Sequence, residues 1–217
     1  MTHTNDIKII LADDHQLLRD GLKNIIEQKS NMYIVGEASN GREAIAICSK
    51  LTPDVIIIDV AMPGLNGIEA AKQIHKMHPD IKIIGLSMHS NKQFIEGMFK
   101  AGALGYLLKD GDADELITAI NTVIQDKKYL SRNINQEILS LLKKGETLEK
   151  AELSSREKEV LQLITEGKSS KETGEILFLS SKTIDVHRNN IMKKIDLYTI
   201  PELTKYAIQK GLTTLDF

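Results

Sequence analysis

The chain has 217 residues, of which 41% are hydrophobic, 27% charged and 4% aromatic, with no tryptophan. This is globular composition with an aliphatic core, enough for one large domain or two small ones, and it excludes a wholly disordered chain. A formal net charge of -2 excludes a chain-wide basic coat, and a single cysteine, Cys48, excludes an intrachain disulfide and a Cys-rich zinc site.

Cys48 lies in the apolar run Ala44-Ile45-Ala46-Ile47-Cys48 and reads as a small buried hydrophobe rather than a reactive thiol. The polar start, Met1 to Asp6, lacks a basic segment followed by an apolar one, so no signal peptide is expected. The longest apolar runs, such as Val55 to Ile58, are strand-length and far short of the ~18 residues a membrane span needs. A soluble, cytoplasmic protein with no membrane partner is expected. Charge is unevenly divided, with a net of -4 over residues 1–127 and +2 over residues 128–217, which suggests two domains with different partners.

The first part alternates. Short β-branched runs at Ile7–Leu11, Tyr33–Gly36, Val55–Ile58, Ile81–Leu86 and Gly105–Leu108 are separated by helix-period segments near 15–28, 40–51, 67–77, 91–101 and 112–126. Val55–Ile58 is apolar on both faces, as a central parallel strand is. The pattern predicts an α/β domain over 1–127, a five-stranded parallel sheet doubly wound by helices. Residues 128–152 break the alternation and read as a linker with a short helix around Leu139, Leu141 and Leu142. From 153 to 217 the pattern is all helical. Ser154 with Glu157 and Ser169 with Glu172 are capping boxes, Ser180 can cap a third helix, and Thr199 with Glu202 and Pro201 opens a fourth that ends at Gly211. Four short helices with a tight turn near Leu179 predict a small helix-turn-helix domain.

Ligands of open parallel sheets bind beyond the carboxyl ends of the strands. At those ends stand Asp13 and Asp14 after the first strand, Asp59 after the third, Ser87 after the fourth and Lys109 after the fifth. Carboxylates gathered on one rim repel unless a cation lies between them; a hard divalent ion suits oxygen ligands, with Mg²⁺ the default. The hydroxyl and the amine could hold phosphoryl oxygens, and a carboxylate can itself be the nucleophile. Taken singly, each residue reads as a helix cap or turn residue; five at four strand ends do not.

The motifs Leu11-Ala12-Asp13-Asp14-His15, Asp59-Val60-Ala61-Met62-Pro63-Gly64-Leu65-Asn66-Gly67, Leu86-Ser87-Met88 and Ala101 to Lys109 resemble the receiver domain of two-component response regulators. Residues 153–212, notably Leu153 to Leu161 and Lys182 to Ile191, resemble the LuxR-type helix-turn-helix, and the whole is similar to the NarL/FixJ family. The resemblance implies that Asp59 accepts a phosphoryl group from a partner histidine kinase. It implies that Asp14, Asp59 and the Ala61 carbonyl bind Mg²⁺ (or Mn²⁺) with help from Asp13, that Ser87 and Lys109 contact the phosphoryl group, and that Tyr106 is an aromatic switch. Met62-Pro63 and Gly67 fit the loop geometry of that family. His15 reads as a helix-start residue, and none of the six histidines needs to be catalytic.

On the third C-terminal helix, Ile184, Ile191 and Ile195 face inward, so Lys182, Asp185, Val186, Asn189 and Lys193 share the outward face. Lysines suit phosphates, Asn can read adenine, Val suits a thymine methyl and a carboxylate can accept from a cytosine amine. Thr183, His187, Arg188 and Asn190 on the same helix and Lys171 on the preceding one complete the expected DNA-contacting set. Two positions depart from the resembling family. Asp185 stands where many relatives are basic, and Thr173-Gly174 stands where an aliphatic residue and Ala are usual; a helix-interior Gly costs about 1 kcal/mol relative to Ala. The last helix carries Leu203, Tyr206 and Ala207 on one face, the expected dimerisation surface.

The expected function is transcription control by double-stranded DNA binding at an inverted repeat, as a homodimer formed on phosphorylation, with RNA polymerase a further partner. No enzymatic role is expected beyond self-phosphorylation and slow autodephosphorylation. Two other readings stand beside it. One is an aspartate-nucleophile phosphatase of the haloacid dehalogenase type, although that family carries Asp-x-Asp after its first strand. The other is a regulator that switches without phosphate.

Overall fold

The computed structural model describes residues 6–29, 31–90, 92–134, 153–195 and 197–214. Its first half is a parallel sheet in the order β2-β1-β3-β4-β5-β6, formed by β1 (Ile7–Ala12), β2 (Met32–Ala38), β3 (Val55–Asp59), β4 (Lys82–Ser87), β5 (Gly105–Leu108) and β6 (Tyr129–Leu130). The intervening helices are α1 (Gln16–Glu27), α2 (Gly41–Leu51), α3 (Gly67–Met77), α4 (Lys92–Lys100) and α5 (Ala113–Val123). The expected alternation is present, with element ends shifted by a few residues.

β3 is buried along its whole length, because helices cover both faces of the sheet. Ile56 and Ile58 face a core under α2, α3 and α4, while Val55 and Ile57 face a second core under α1 and α5. Period-2 alternation splits four consecutive apolar residues between the two cores. Cys48 lies fully buried in the first core, where burial pushes its thiol up to about 12, as a packing residue rather than a nucleophile.

The sheet gains a strand the sequence pattern did not announce. Tyr129 and Leu130 pair in parallel with Gly105 and Tyr106, and Ile134 is buried against the first core. The boundary expected after residue 127 is therefore corrected, since the α/β unit continues to at least Ile134. Two residues are too short for a periodic signal, and β6 is held by its neighbour rather than by its own composition. The helix expected around Leu139, Leu141 and Leu142 lies outside the described residues.

The C-terminal helices are α6 (Ser155–Thr165), α7 (Ser170–Leu177), α8 (Ser181–Ile195) and α9 (Ile200–Gln209). Ser154, Ser169 and Thr199 each form the expected reciprocal capping box, and Ser180 Oγ accepts from the Thr183 amide at 3.1 Å. Val160, Leu161, Ile184, Ile191 and Leu203 form the small core.

Gly174 is not the weak point that its helix propensity implied. A Cβ there would lie 2.6 Å from the Leu179 carbonyl oxygen, and the Gly174 carbonyl accepts from the Leu179 amide at 2.9 Å. The glycine lets the α7–α8 turn fold back on its own helix. Gly174→Ala is expected to lower stability by roughly 1–2 kcal/mol, the overpacking cost exceeding the helix-propensity gain. A thermal melt of the variant at or above the wild-type midpoint would show that the turn yields freely.

Candidate functional site

β1 lies between β2 and β3, so the strand order reverses there and the sheet opens a crevice beyond the β1 and β3 carboxyl ends. Asp13 leaves β1 into that crevice and Asp59 ends β3; both are buried. Lys109, just after β5, places its Nζ 2.8 Å from Asp13 Oδ2 and 3.0 Å from Asp59 Oδ2. Asp59 Oδ1 accepts from the Ala61 amide at 3.2 Å. Ser87 ends β4, and its Oγ accepts from the His89 amide at 3.0 Å. The loop after β3 passes close beneath the site: a Cβ at Gly67 would lie 2.0 Å from the Asp59 carbonyl oxygen, so only glycine fits.

Asp14 is exposed on the rim, and His15 occupies the N-cap position of α1 without a side-chain cap. Its Nδ1 lies 3.2 Å from Asp13 Oδ1 and 3.0 Å from Asp14 Oδ1. Ligand atoms of Asp13, Asp14, His15 and Asp59 all fall within 4.8 Å of one another. The expected helix-start role of His15 is present, and its ring also faces the carboxylates. The donor set suits a hard divalent ion, because three of its four members are carboxylates and only two of those pair with Lys109.

Burial raises the Asp59 carboxyl above the usual carboxylate range, and Asp13 adds to this while Lys109 opposes it. Burial pulls the Lys109 amine down, but Asp59 and Asp13 overcome that and hold it above its ordinary value. Folding therefore disfavours ionised Asp59. The stability this group contributes is lost as pH rises above the ordinary carboxylate range, and a cation held between the carboxylates would restore it. Asp59→Asn is expected to raise the metal-free melting temperature at neutral pH and to remove most of the increment that millimolar Mg²⁺ gives the wild type. Equal Mg²⁺ increments in both proteins would count against the cage. The ligand contribution scales as RT ln(1 + [L]/Kd), about 2.7 kcal/mol at a hundredfold excess over Kd.

Tyr106 is fully buried, and its hydroxyl donates to the His89 carbonyl at 2.7 Å. The His89 ring stacks on Phe94 at 5.1 Å, and Phe94 in turn lies against Gly211 of the second domain. A continuous set of contacts thus runs from the pocket wall into the helical domain.

The pocket opens into a cleft of about 710 Å³ between the two domains. Asp14, Asp59 and Lys109 line one side, and Gln162, Glu166 and Lys168 the other. Gln162, almost fully buried, clasps the β3–α3 loop. Its Nε2 donates to the Met62 carbonyl at 3.0 Å, and its Oε1 accepts from the Asn66 amide and the Asn66 Nδ2, both at 3.1 Å. Glu166 Oε2 accepts from the Gly64 amide at 3.3 Å, with its carboxyl held above the ordinary range by burial. Lys158 pairs with buried Glu69 at 2.9 Å, and Arg42 with Glu159 at 2.9 Å. These partners, about 90 to 120 positions apart, escaped the sequence reading. The one signal was a glutamine inside the apolar run Val160-Leu161-Gln162-Leu163-Ile164.

Gln162→Ala is expected to open this closed arrangement, since each lost net hydrogen bond is worth about 1 kcal/mol and the loop groups would stay buried without partners. Small-angle scattering checks it through a larger radius of gyration at unchanged helix and strand content; an unchanged radius would remove the clasp from the interface.

The outward face of α8 stays exposed beside this closed interface. Lys182, Asp185, Val186, Asn189, Asn190 and Lys193 are exposed, as is Lys171 on α7, while Thr183, His187 and Arg188 are half-buried. Thr183 Oγ1 lies 2.8 Å from Ser180 Oγ at the helix start. Asp185 Oδ1 accepts from Ser170 Oγ at 2.6 Å. The α9 expectation is corrected in part. Leu203 and Ala207 are buried in the core of their own domain, because α9 packs on α6, and Tyr206 is half-buried beside them.

Two family profiles match. Residues 9–121 match the response regulator receiver domain, and residues 151–207 match the bacterial regulatory proteins of the luxR family. The chain is 39% identical over 208 residues to the transcriptional regulatory protein LiaR of Bacillus subtilis (strain 168), covering 95% of this chain and 99% of that one. It is 35% identical over 225 residues to the transcriptional regulatory protein DegU of Brevibacillus brevis, covering 95% of each. Among solved structures, RcsB of Salmonella enterica serovar Typhimurium, bound to promoter DNA in the presence of a phosphomimetic, is similar with a TM-score of 0.61 and 29% identity over 96% of this chain and all of that one.

Proposed function

The chain belongs to the NarL/FixJ-type two-component response regulators, which join a receiver domain to a LuxR-type DNA-binding domain, and from that premise we propose that it is a transcriptional regulator switched by phosphorylation of Asp59. The observation that carries this reading is the buried Asp59 carboxylate, 3.0 Å from Lys109, in a cleft whose opposite wall is the DNA-binding domain. A partner histidine kinase donates the phosphoryl group from a phosphohistidine. An Asp59 oxygen attacks phosphorus, the P–N bond breaks, and an acyl phosphate forms; water later returns the carboxylate and inorganic phosphate. Lys109 and Ser87 hold phosphoryl oxygens, with Lys109 exchanging its contact to the free carboxylate for one to the phosphoryl group. Asp13, Asp14, Asp59 and the Ala61 carbonyl hold Mg²⁺ or Mn²⁺, which supplies neutralisation of the charge gathered in the pocket. Tyr106 follows Ser87 through its bond to the His89 carbonyl.

The receiver module extends to residue 134, a linker follows, and the DNA-binding module begins at 153. In that module α8 enters the major groove. Lys182, Val186, Asn189, Asn190 and Lys193 meet the duplex, with Thr183, His187, Arg188 and Lys171 towards its backbone. Dimerisation on an inverted repeat uses the outer surface of α9 around Tyr206. It adds a second half-site at high effective concentration, which a modest local charge requires. RNA polymerase is a further partner at the promoter. Among the described residues no helix is long and apolar enough to cross a membrane. A regulator that meets both a kinase and chromosomal DNA works in the cytoplasm. The acidic pair after β1 is adjacent, without the Asp-x-Asp spacing of haloacid dehalogenases, and Asp59 closes β3 instead.

The test is labelling by radioactive acetyl phosphate with Mg²⁺, followed by DNA titration. The wild type is expected to take up acid-stable, hydroxylamine-labile label and to bind promoter DNA more tightly once labelled. Asp59→Asn is expected to do neither; full labelling of that variant would overturn the assignment.

A further inference from the structure

The reading face of α8 carries one feature that electrostatics alone would remove. DNA presents a dense row of phosphate charges, and a carboxylate brought into a groove is repelled unless a base edge donates to it. Asp185 is such a carboxylate. It is exposed, three residues after Lys182 and four before Asn189, so all three project from the same stripe of the helix. The receiver domain does not cover it in the closed arrangement.

Its conformation is fixed from outside its own helix. Ser170, the first residue of α7 after the Ser169 cap, donates from Oγ to Asp185 Oδ1 at 2.6 Å. This charge-assisted bond ties the scaffold helix to the reading helix and occupies one carboxylate oxygen. The remaining oxygen has acceptor capacity only, so its partner in a groove must be a donor.

The major groove offers two base donors, the N4 amine of cytosine and the N6 amine of adenine. The adenine amine lies beside N7, an acceptor that repels a carboxylate, and an amide satisfies that donor–acceptor pair better. Cytosine presents its amine without a neighbouring acceptor on its own edge. We propose that Asp185, oriented by Ser170, is a specificity-determining residue that accepts a hydrogen bond from a cytosine amine, so that each half-site carries a C·G pair beneath it. This inference rests on the reading that α8 enters the major groove.

The test is selection of the full-length protein, phosphorylated with acetyl phosphate and Mg²⁺, against a random duplex library, with Asp185→Ala, Asp185→Asn and Ser170→Ala run in parallel and melting temperatures recorded. The wild type is expected to enrich cytosine at one position per half-site, with about 5- to 150-fold discrimination against other bases. Asp185→Ala is expected to flatten that position alone and leave the rest of the site intact. Asp185→Asn is expected to shift the preference towards adenine, and Ser170→Ala to weaken it without changing the base. Identical base preferences in all four proteins would overturn the proposal. So would an Asp185→Ala protein that loses affinity for every sequence equally together with a lowered melting temperature, the signature of a tie between helices alone. A wild type that enriches no sequence while Asp59 is phosphorylated would overturn the placement of α8 in the groove, and this inference with it.

Discussion

Two buried carboxylates at neighbouring strand ends coexist because one ammonium lies within 3.0 Å of both. Without Lys109, the buried carboxylates of Asp13 and Asp59 would face each other with no cation between them. The ammonium balances only one of them, and Asp14 adds a third negative group at the rim. This surplus of negative charge is what a hard divalent cation would neutralise. The Lys109 ammonium also opposes the effect of burial, which by itself biases Asp59 towards the proton. The sheet exists, in functional terms, to bring these side chains to one rim from residues 13, 59, 87 and 109.

The same loop that begins at Asp59 is what the second domain grips. Met62 and Asn66 bond to Gln162 of α6 and Gly64 to Glu166 at its C-cap, and Asn66 also caps α3 through the Glu69 amide and reaches the Leu212 carbonyl at 3.3 Å. Any rearrangement of that loop by a phosphoryl group or a metal ion must be accommodated by Gln162 and Glu166. Glu166, already disfavoured as an anion by its burial, shares the cleft with a site that would gain negative charge under the proposed phosphorylation. Coupling of this kind is reciprocal. Whatever draws the DNA-binding domain away from the loop changes the affinity of the pocket for its ligands by the same factor.

The parts legible in the sequence were those with local signals. Five strands and five helices followed from periodicity, and every C-terminal helix start from a Ser or Thr with Glu three residues on, or from Ser180. The pocket was readable because strand ends are predictable and the fold rule says what lies there. What was not readable depends on contacts between distant residues. β6 is two residues long and held by β5 and by α5, onto which the Tyr129 hydroxyl donates at Glu115. Leu203 and Ala207 looked like a surface stripe, because one amphipathic face can serve a core or a partner and spacing does not distinguish them. Gly174 looked like a propensity defect until the Leu179 carbonyl beside it became visible. The Gln162 clasp required the relative placement of two domains that no pattern in either one encodes.

The exposure of α8 in the closed arrangement bears on how the protein spends its resting time. A repressor kept off its site by a cover is absent from the chromosome until uncovered. Here Lys182, Asn189 and Lys193 face solvent while the receiver is still clasped to α6. Sequence-independent attraction to phosphates therefore acts on the resting chain as well, weak for a single basic helix and steeply dependent on salt. The closed arrangement therefore leaves the basic side of α8 open to any duplex, and the receiver, where it lies, is a clasp on α6 rather than a shield over α8.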